Sequence, residues 1–280
     1  MSKFVRGLVI VLAVGMMAFA GYQLGNIAYD YIADDAVYEE LRADADSPED
    51  PNDTTPVTNE DEEGGAADVQ DADGELVNPD AQFSVANYLK RLFGKAKPKA
   101  IPISGNQTSS SLKKAQTRKI NFKKLKKKNK QIVAWLTIPN TKIDYPITKA
   151  KNNSYYLKRN ALKKKSSAGS IFLDAKANAS FNGQDSPVYG HHMRDKSMFG
   201  SLGDLRRSKF RKKHQYVYVY TAKDTKKYKI SSQFITKKKK LAPNKSKTKV
   251  VTLVTCEYTS KNAHYVVRAK LQTTKKPGKK

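Results

Sequence analysis

The sequence contains a single cysteine, Cys256, among its 280 residues. One thiol cannot form an intrachain disulfide, which excludes a fold held together by disulfide bonds. It also excludes a zinc site built from several cysteines. A lone cysteine commonly serves as a small buried apolar residue, so any chemical role has to be judged from its neighbours.

Acidic residues are scarce outside one stretch of the chain. Residues 30–80 contain 19 of the 26 acidic residues and one basic residue, whereas residues 81–280 contain 50 basic and 7 acidic residues, a net charge of +43. So basic a domain favours a polyanionic partner, such as a nucleic acid, an anionic membrane surface or an anionic cell-wall polymer. Surface lysines can also serve solubility alone.

The N-terminus is predicted to be a membrane anchor. Residues 4–21 form an apolar run interrupted only by Arg6, and the apolar character continues for a few residues more, enough for a helix that spans a bilayer. Lys3 and Arg6 precede the apolar core, so the N-terminus is expected in the cytoplasm and the rest of the chain outside. We therefore expect residues 1–29 to form a cytoplasmic tip and a single-pass helix in the cell membrane. A cleaved signal peptide is the alternative, but no clean small-x-small cleavage site ends the run.

The remaining residues divide into a stalk, a linker and a folded domain. Residues 30–80 have few large apolar residues and are predicted to be a disordered acidic stalk that holds the domain away from the membrane. Alternatively, this acidic stretch folds back onto the basic domain as an electrostatic partner. Residues 81–130 indicate a helical and linker segment, with an amphipathic helix over 81–95. The folded domain is predicted over 131–274 and a basic tail over 275–280.

From Ile132 onward the sequence changes to short runs typical of β-strands. Tyr216, Tyr218 and Tyr220 alternate with valines, which is the period-two pattern of a strand. The eight runs are 132–139, 144–148, 170–174, 186–190, 216–220, 226–235, 249–256 and 264–271. Eight strands in so short a domain predict a mainly β fold, a compact closed barrel or a sandwich, with a short helix near 197–212.

Two strand ends carry residues suited to nucleophilic chemistry. VYGHHM, over 188–193, is a strand that ends in Gly190 and two histidines, and TLVTC, over 252–256, is a strand that ends in the single cysteine. A catalytic cysteine must be a thiolate, and a nearby imidazole is the usual means of forming it. Adjacent histidines on a strand point to opposite faces, so His191 and His192 cannot both bind one metal ion. Neither a metal nor a cofactor is expected. From composition alone, an inert buried cysteine with two unrelated histidines is the simpler interpretation.

These two segments resemble signatures of the sortase family of cysteine transpeptidases. TLVTC is similar to the family's TLxTC motif, and VYGHHM is similar to its strand–Gly–His element. GHHMRDKSMFGSLGDL, WLTIPNTKIDYPI and AGSIFLD resemble class B sortases in particular, and the motifs follow the family's order over about residues 130–272. The resemblance implies a closed, eight-stranded, sortase-like β-barrel with short helices.

The resemblance also implies a chemical role for each residue. Cys256 would attack a backbone carbonyl in a C-terminal sorting motif of a secreted protein and form a thioacyl intermediate. His191 would protonate the leaving amine and later activate the incoming amine, which the family takes from peptidoglycan precursors or from a pilin lysine. The expected location is the outer face of a Gram-positive cell membrane. No nucleic-acid partner is expected, since the domain faces outside and has no recognisable nucleic-acid module.

The third member of the predicted site is open between two residues. Sortases carry an arginine on the strand after the cysteine, where it stabilises the oxyanion and holds the substrate. Aligning the apolar body of that strand places His264 at this position, with Arg268 four residues later, about 13 Å along a strand. Arg268 would fill the position if the loop after Cys256 were longer. The sequence favours His264, whereas the chemistry favours Arg268.

Two departures from the family keep other functions open. The replaced arginine is compatible with a cationic cell-wall- or lipid-binding module that has an impaired active site. A cysteine protease would form the same thioacyl intermediate, but water would hydrolyse that intermediate instead of an amine accepting the acyl group. Class B relatives also insert a long helix between the strands that end near Ile235 and start near Lys249, where this chain has only a short KKKKLAPNKSK segment. The sorting motif is therefore not predicted.

Overall fold

In the computed structural model, eight strands close into a single barrel. The structure describes residues 3–50, 107–237, 247–257 and 263–276. The strands are β1 (Ile132–Thr137), β2 (Asp144–Thr148), β3 (Ile171–Leu173), β4 (Asp185–Tyr189), β5 (Tyr216–Tyr220), β6 (Thr225–Thr236), β7 (Val250–Glu257) and β8 (Ala263–Lys275). Their order around the barrel is β1-β2-β3-β4-β7-β8-β6-β5. The predicted mainly β, closed eight-stranded barrel is confirmed.

The middle of β7 is buried on both faces of the sheet. β4 pairs parallel with β7, and β7 pairs antiparallel with β8. Val251 and Leu253 of β7 belong to the hydrophobic core, while Thr252 and Val254, on the other face of the strand, are also buried. The continuous apolar run VVTLV, which lacks the alternation of a half-exposed strand, is the sequence pattern expected of a strand covered on both sides.

Short helices surround the barrel. They are α2 (Ser109–Thr117), α3 (Phe122–Lys128) and α4 (Ser208–Lys213), with 3-10 helices over Tyr155–Leu157 and Gly200–Arg206. The last 3-10 helix and α4 lie where a short helix near 197–212 was predicted. α2 begins with a reciprocal cap, in which Thr108 Oγ1 accepts from Ser111 N and Ser111 Oγ accepts from Thr108 N, which satisfies donors that the first helical turn leaves free.

A long N-terminal helix, α1 (Lys3–Ala45), corrects the predicted start of the stalk. Val37, Tyr38 and Leu41 are buried in the hydrophobic core with the barrel residues. Their spacing of one, three and four residues forms an apolar stripe on one helix face, which the many acidic residues around them concealed. Disorder was therefore the wrong prediction for residues 30–45. The rest of the stalk from residue 51, together with the helix predicted over 81–95, lies outside the described residues.

The acidic residues at the end of α1 pair with basic residues of the domain. Asp44 lies 2.9 Å from Lys124 Nζ and 2.7 Å from Lys128 Nζ, both on α3. Asp46 lies 2.7 Å from Arg118 Nε, which precedes α3. For residues 34–46, the alternative that the acidic stretch folds back onto the basic domain is confirmed. This part of the stretch is docked on the barrel and does not act as a spacer.

Within the part of the chain that the structure describes, no helix is both long enough and apolar enough to cross a membrane. The anchor over residues 1–29 stays a prediction. Two further predictions concern the C-terminal boundary of the domain and the segment between β6 and β7. β8 extends to Lys275, one residue into the predicted tail, and the segment 238–246, where no inserted helix was expected, lies outside the described residues.

Candidate functional site

The position of Cys256 in the barrel is fixed by strand register. Cys256 lies in β7, and its partner in β8 is His264. Residues directly opposite each other in an antiparallel pair share a face of the sheet. Leu253 and its partner Val267 belong to the core, so alternation along the strands assigns positions 256 and 264 to the outer face of the barrel.

β4 brings His191 to the same row. Its last pair with β7 joins Tyr189 to Val254, and the Gly190 amide continues the ladder by donating to the Val254 carbonyl at 3.1 Å. Extending this parallel register by two residues sets position 191 beside position 256. Adjacent strands lie about 4.8 Å apart, so Cys256 on β7, His264 on β8 and His191, two residues after the end of β4, occupy neighbouring positions. We call this set the row.

Glycine at position 190 is required by close packing. A Cβ atom there would lie 2.8 Å from Phe199 Cδ2, nearer than side-chain carbons normally approach, and would also collide with Ile171. Phe199 in turn donates its amide to the His191 carbonyl at 3.0 Å. The backbone of His191 is therefore held between β4 and the segment that follows it, which explains the glycine in the VYGHHM motif.

The ring of His191 is half-buried and oriented by a backbone carbonyl. Its Nε2 atom lies 2.7 Å from the Leu157 carbonyl oxygen. A carbonyl only accepts hydrogen bonds, so Nε2 carries the hydrogen and Nδ1 is the nitrogen left to exchange a proton. Gly169 packs against the same ring, because a Cβ there would lie 3.0 Å from His191 Cδ2. Sequence reasoning missed Leu157, since any residue offers a carbonyl, while Gly169 lies in the AGSIFLD motif.

His264 presents an unsatisfied buried nitrogen beside the cysteine position. Its side chain is half-buried, and among the described residues its Nδ1 atom has no hydrogen-bond partner. Most buried polar atoms in proteins are hydrogen-bonded, so an orphaned one needs an explanation. An imidazole can donate one N–H to a developing oxyanion, which is the chemistry expected at this place.

Arg268 lies away from the row. Its register partner is Thr252, four residues before Cys256, which separates it from the row by about 13 Å along the strand. The guanidinium lies 3.8 Å from Asp185 Oδ2 and 5.4 Å from the centre of the Phe234 ring. Burial raises the pKa of Asp185, against the lowering effects of Thr252 and Arg268. The structure thus brings His264, and not Arg268, opposite Cys256.

The outer face next to the row is apolar. Tyr189, Val254, Val266 and Phe234 occupy consecutive positions across β4, β7, β8 and β6, and Val254 and Val266 are 3% and 0% exposed. We call these four residues the outer strip. Within the described ranges, no group of three or more His, Cys, Asp or Glu side chains could hold a metal ion. Position 256 therefore lies beside an apolar part of the sheet whose two valines are already covered.

Comparisons with known proteins find similarity to sortases. A family model described as the sortase domain matches residues 136–272. Sortase B of Listeria monocytogenes is 49% identical over 78 residues, 28% of this chain and 32% of that protein. Sortase B of Staphylococcus aureus is 33% identical over 96 residues, 34% of this chain and 39% of that protein. The matches thus span 32% and 39% of the length of these relatives.

A solved structure shows the same similarity over a longer range. The crystal structure of sortase B from Bacillus anthracis in complex with AAEK2 is 29% identical in sequence, with a TM-score of 0.50. The match covers 61% of this chain and 88% of that chain. The similarity therefore extends over most of that chain.

Proposed function

The chain belongs to the sortase family, with class B sortases among its relatives, and we propose that it is a cysteine transpeptidase. Its substrates are secreted proteins that carry a C-terminal sorting motif, and its acyl acceptor is an amine of a peptidoglycan precursor or of a pilin lysine. The observation that carries the proposal is the row, in which position 256 pairs with His264 of β8 and lies beside the segment that follows Gly190.

In the first half of the reaction, the Cys256 thiolate attacks the carbonyl carbon of the scissile peptide bond. The carbonyl oxygen becomes an oxyanion, and the His264 N–H donates a hydrogen bond to it. The C–N bond then breaks as His191 gives its proton to the leaving amine, which departs with the C-terminal part of the substrate. The N-terminal part remains on Cys256 as a thioester.

In the second half, an acceptor amine attacks the thioester carbonyl. His191, now neutral at Nδ1, accepts the proton that the amine loses, and the Cys256 thiolate leaves as the new amide forms. The number of bonds and the proton count are restored, so no cofactor is needed.

The proposed location is the outer face of a cell membrane, with the N-terminus in the cytoplasm and one spanning helix. The apolar run over 4–21 and the basic residues before it support this topology. The +43 charge of residues 81–280 suits a domain that works beside anionic lipid and anionic wall polymer of a Gram-positive cell.

A transfer assay tests the proposal. The full chain is incubated with a library of peptides that have a randomised five-residue core between a fluorophore and a quencher. One acceptor is a peptidoglycan stem peptide with a free side-chain amine, and the other is a lysine peptide with a blocked N-terminus. We expect an amide-linked product that is absent with Cys256→Ala and reduced roughly 10²- to 10⁴-fold with His191→Ala.

His192→Ala is the matched control, because His192 follows the catalytic histidine but lies outside the row. It should keep at least half of the wild-type rate. Full activity of Cys256→Ala or His191→Ala would contradict the mechanism. Absence of transfer by the wild-type chain, together with tight binding to anionic wall polymer, would favour the cationic binding module that the replaced arginine leaves open.

A further inference from the structure

His191 is oriented by a loop rather than by its own strand. This loop, residues 155–170 between β2 and β3, is called the support loop. Its Leu157 carbonyl accepts from His191 Nε2 at 2.7 Å, and Gly169 packs against the ring carbon Cδ2. Any displacement of the support loop would therefore move the imidazole relative to position 256.

Two side chains of α1 hold the support loop. The Tyr38 hydroxyl donates to the Gly169 carbonyl at 2.8 Å. The Asp34 carboxylate accepts from Ser166 Oγ at 2.5 Å and from Asn160 Nδ2 at 3.2 Å. These contacts join residues more than 120 positions apart in sequence, so they exist only because α1 is docked on the barrel.

The contacts continue through the loop to the ring. Ser166 Oγ, which donates to Asp34, also accepts from the Gly169 amide at 3.1 Å. Gly169 has a φ of +59°, and a Cβ there would lie 2.7 Å from the Leu157 carbonyl oxygen. The turn that presents Leu157 and Gly169 to His191 is thus tightly packed and is fixed on its other side by α1.

Burial makes these contacts costly to lose. Tyr38 is 2% exposed and Asp34 is 8% exposed. Burial raises the pKa of Tyr38 far above its ordinary value, so its hydroxyl stays protonated and remains a donor. A buried carboxylate requires hydrogen-bond donors, and the support loop supplies them to Asp34. The Tyr38 ring also packs edge-on against Tyr145 at 5.2 Å between centroids.

We propose that Asp34 and Tyr38 are positioning residues for His191. Docking of α1 on the barrel would then set the rate of the proton-transfer steps. The inference rests on the proposed function in that His191 is taken as the acid and base of the reaction. It gives the N-terminal helix a role in catalysis in addition to any role in anchoring.

The test compares conservative variants of the full chain in detergent micelles. Tyr38→Phe removes one hydroxyl, and Asp34→Asn removes one charge with little change of volume. Tyr22→Phe, at an exposed position of the same helix, and Asp35→Asn, at the exposed neighbouring position, are the matched controls. We expect kcat to fall roughly 10- to 100-fold in the first pair with KM within twofold, since small misplacements of a reacting group have effects of this size.

A second readout reports on His191 directly. The chain has four histidines, so histidine-selective ¹³C and ¹⁵N labelling resolves each ring by NMR once His191→Gln identifies its signals. The His191 ring signals should shift in Tyr38→Phe and Asp34→Asn and stay in place in both controls. Unchanged ring signals and unchanged kcat, with only a lower melting temperature, would overturn the proposal and leave the contacts purely structural.

The two readouts separate this inference from the proposed function. If the wild-type chain shows no transfer but the His191 signals move in Tyr38→Phe and Asp34→Asn, the coupling between helix and imidazole holds and the transpeptidase proposal fails. If wild-type transfer is strong and neither variant changes kcat or the ring signals, the proposed function holds and the positioning role is refuted.

Discussion

Replacing His264 with alanine is expected to lower kcat for peptide cleavage by about 10²- to 10³-fold, the usual effect of removing one oxyanion donor. The expectation follows from strand register, since His264 is the partner of Cys256. Arg268 lies about 13 Å further along β8, beyond hydrogen-bonding reach of a carbonyl bound at position 256. Arg268→Ala should therefore leave kcat within about threefold of wild type.

Arg268→Ala is expected to act on stability instead. Its contact with Asp185 is long, at 3.8 Å, and both side chains are 16% exposed. Removing Arg268 leaves the largely buried Asp185 carboxylate without this cation, which is costly, and the lost packing on Phe234 adds to the loss of stability. A clear fall in melting temperature with normal kcat is the expected result.

His264→Arg completes the set of variants. A guanidinium remains charged at every working pH and offers several donors, so this variant should keep at least the wild-type kcat. The assay measures kcat and KM with one peptide chosen from the library and with hydroxylamine as the acceptor amine. Wild-type activity in His264→Ala combined with a 10²-fold loss in Arg268→Ala would refute the register argument, and full activity in both would remove any oxyanion role from β8.

Two further changes address the docked helix and the support loop. Burial alone would raise the pKa of Asp44, but the two α3 lysines outweigh it and lower that pKa. The resulting stabilisation is present above the unfolded pKa of about 3.9 and is lost as the pH falls through the folded pKa. Thermal melts should therefore show Asp44→Asn to be less stable than wild type at pH 7. The difference in stability should shrink below about pH 3.9. Gly169→Ala should cost about 1–3 kcal/mol of unfolding free energy and reduce kcat, because its Cβ would strike the Leu157 carbonyl beside His191. Gly183→Ala, whose Cβ would meet its nearest atom at 3.6 Å, should stay within about 0.5 kcal/mol in denaturant titrations.

The barrel was predictable from the sequence because its strands are short, rich in β-branched and aromatic residues, and separated by turns. All eight predicted runs correspond to strands, with bounds that differ by a few residues. The pairing of position 256 with position 264 followed from the apolar body of β8, since Tyr265, Val266 and Val267 are all buried. A register that left these residues in a loop would have exposed them to water.

The contacts of α1 were not predictable in the same way. Composition over 30–80 indicates disorder, and the stripe of Val37, Tyr38 and Leu41 is too short to outweigh it. The position of α1 is stabilised by long-range contacts, such as the hydrogen bond from Tyr38 to Gly169. Such contacts cannot be inferred from the sequence of the helix alone. Leu157 contacts the His191 ring through its backbone carbonyl. Every residue has such a carbonyl, so the residue type does not indicate the contact.

Intact-protein mass spectrometry tests most directly whether Cys256 carries the acyl group. The full chain is mixed with its selected peptide and quenched in acid within seconds, with and without the acceptor amine. Without amine, the wild-type mass should increase by the mass of the N-terminal cleavage product minus one water. With amine, this adduct should decrease as the transfer product accumulates. Cys256→Ala should show neither. An adduct of the same mass on Cys256→Ala, or peptide cleavage by the wild-type chain with no adduct at any time, would contradict the thioacyl mechanism.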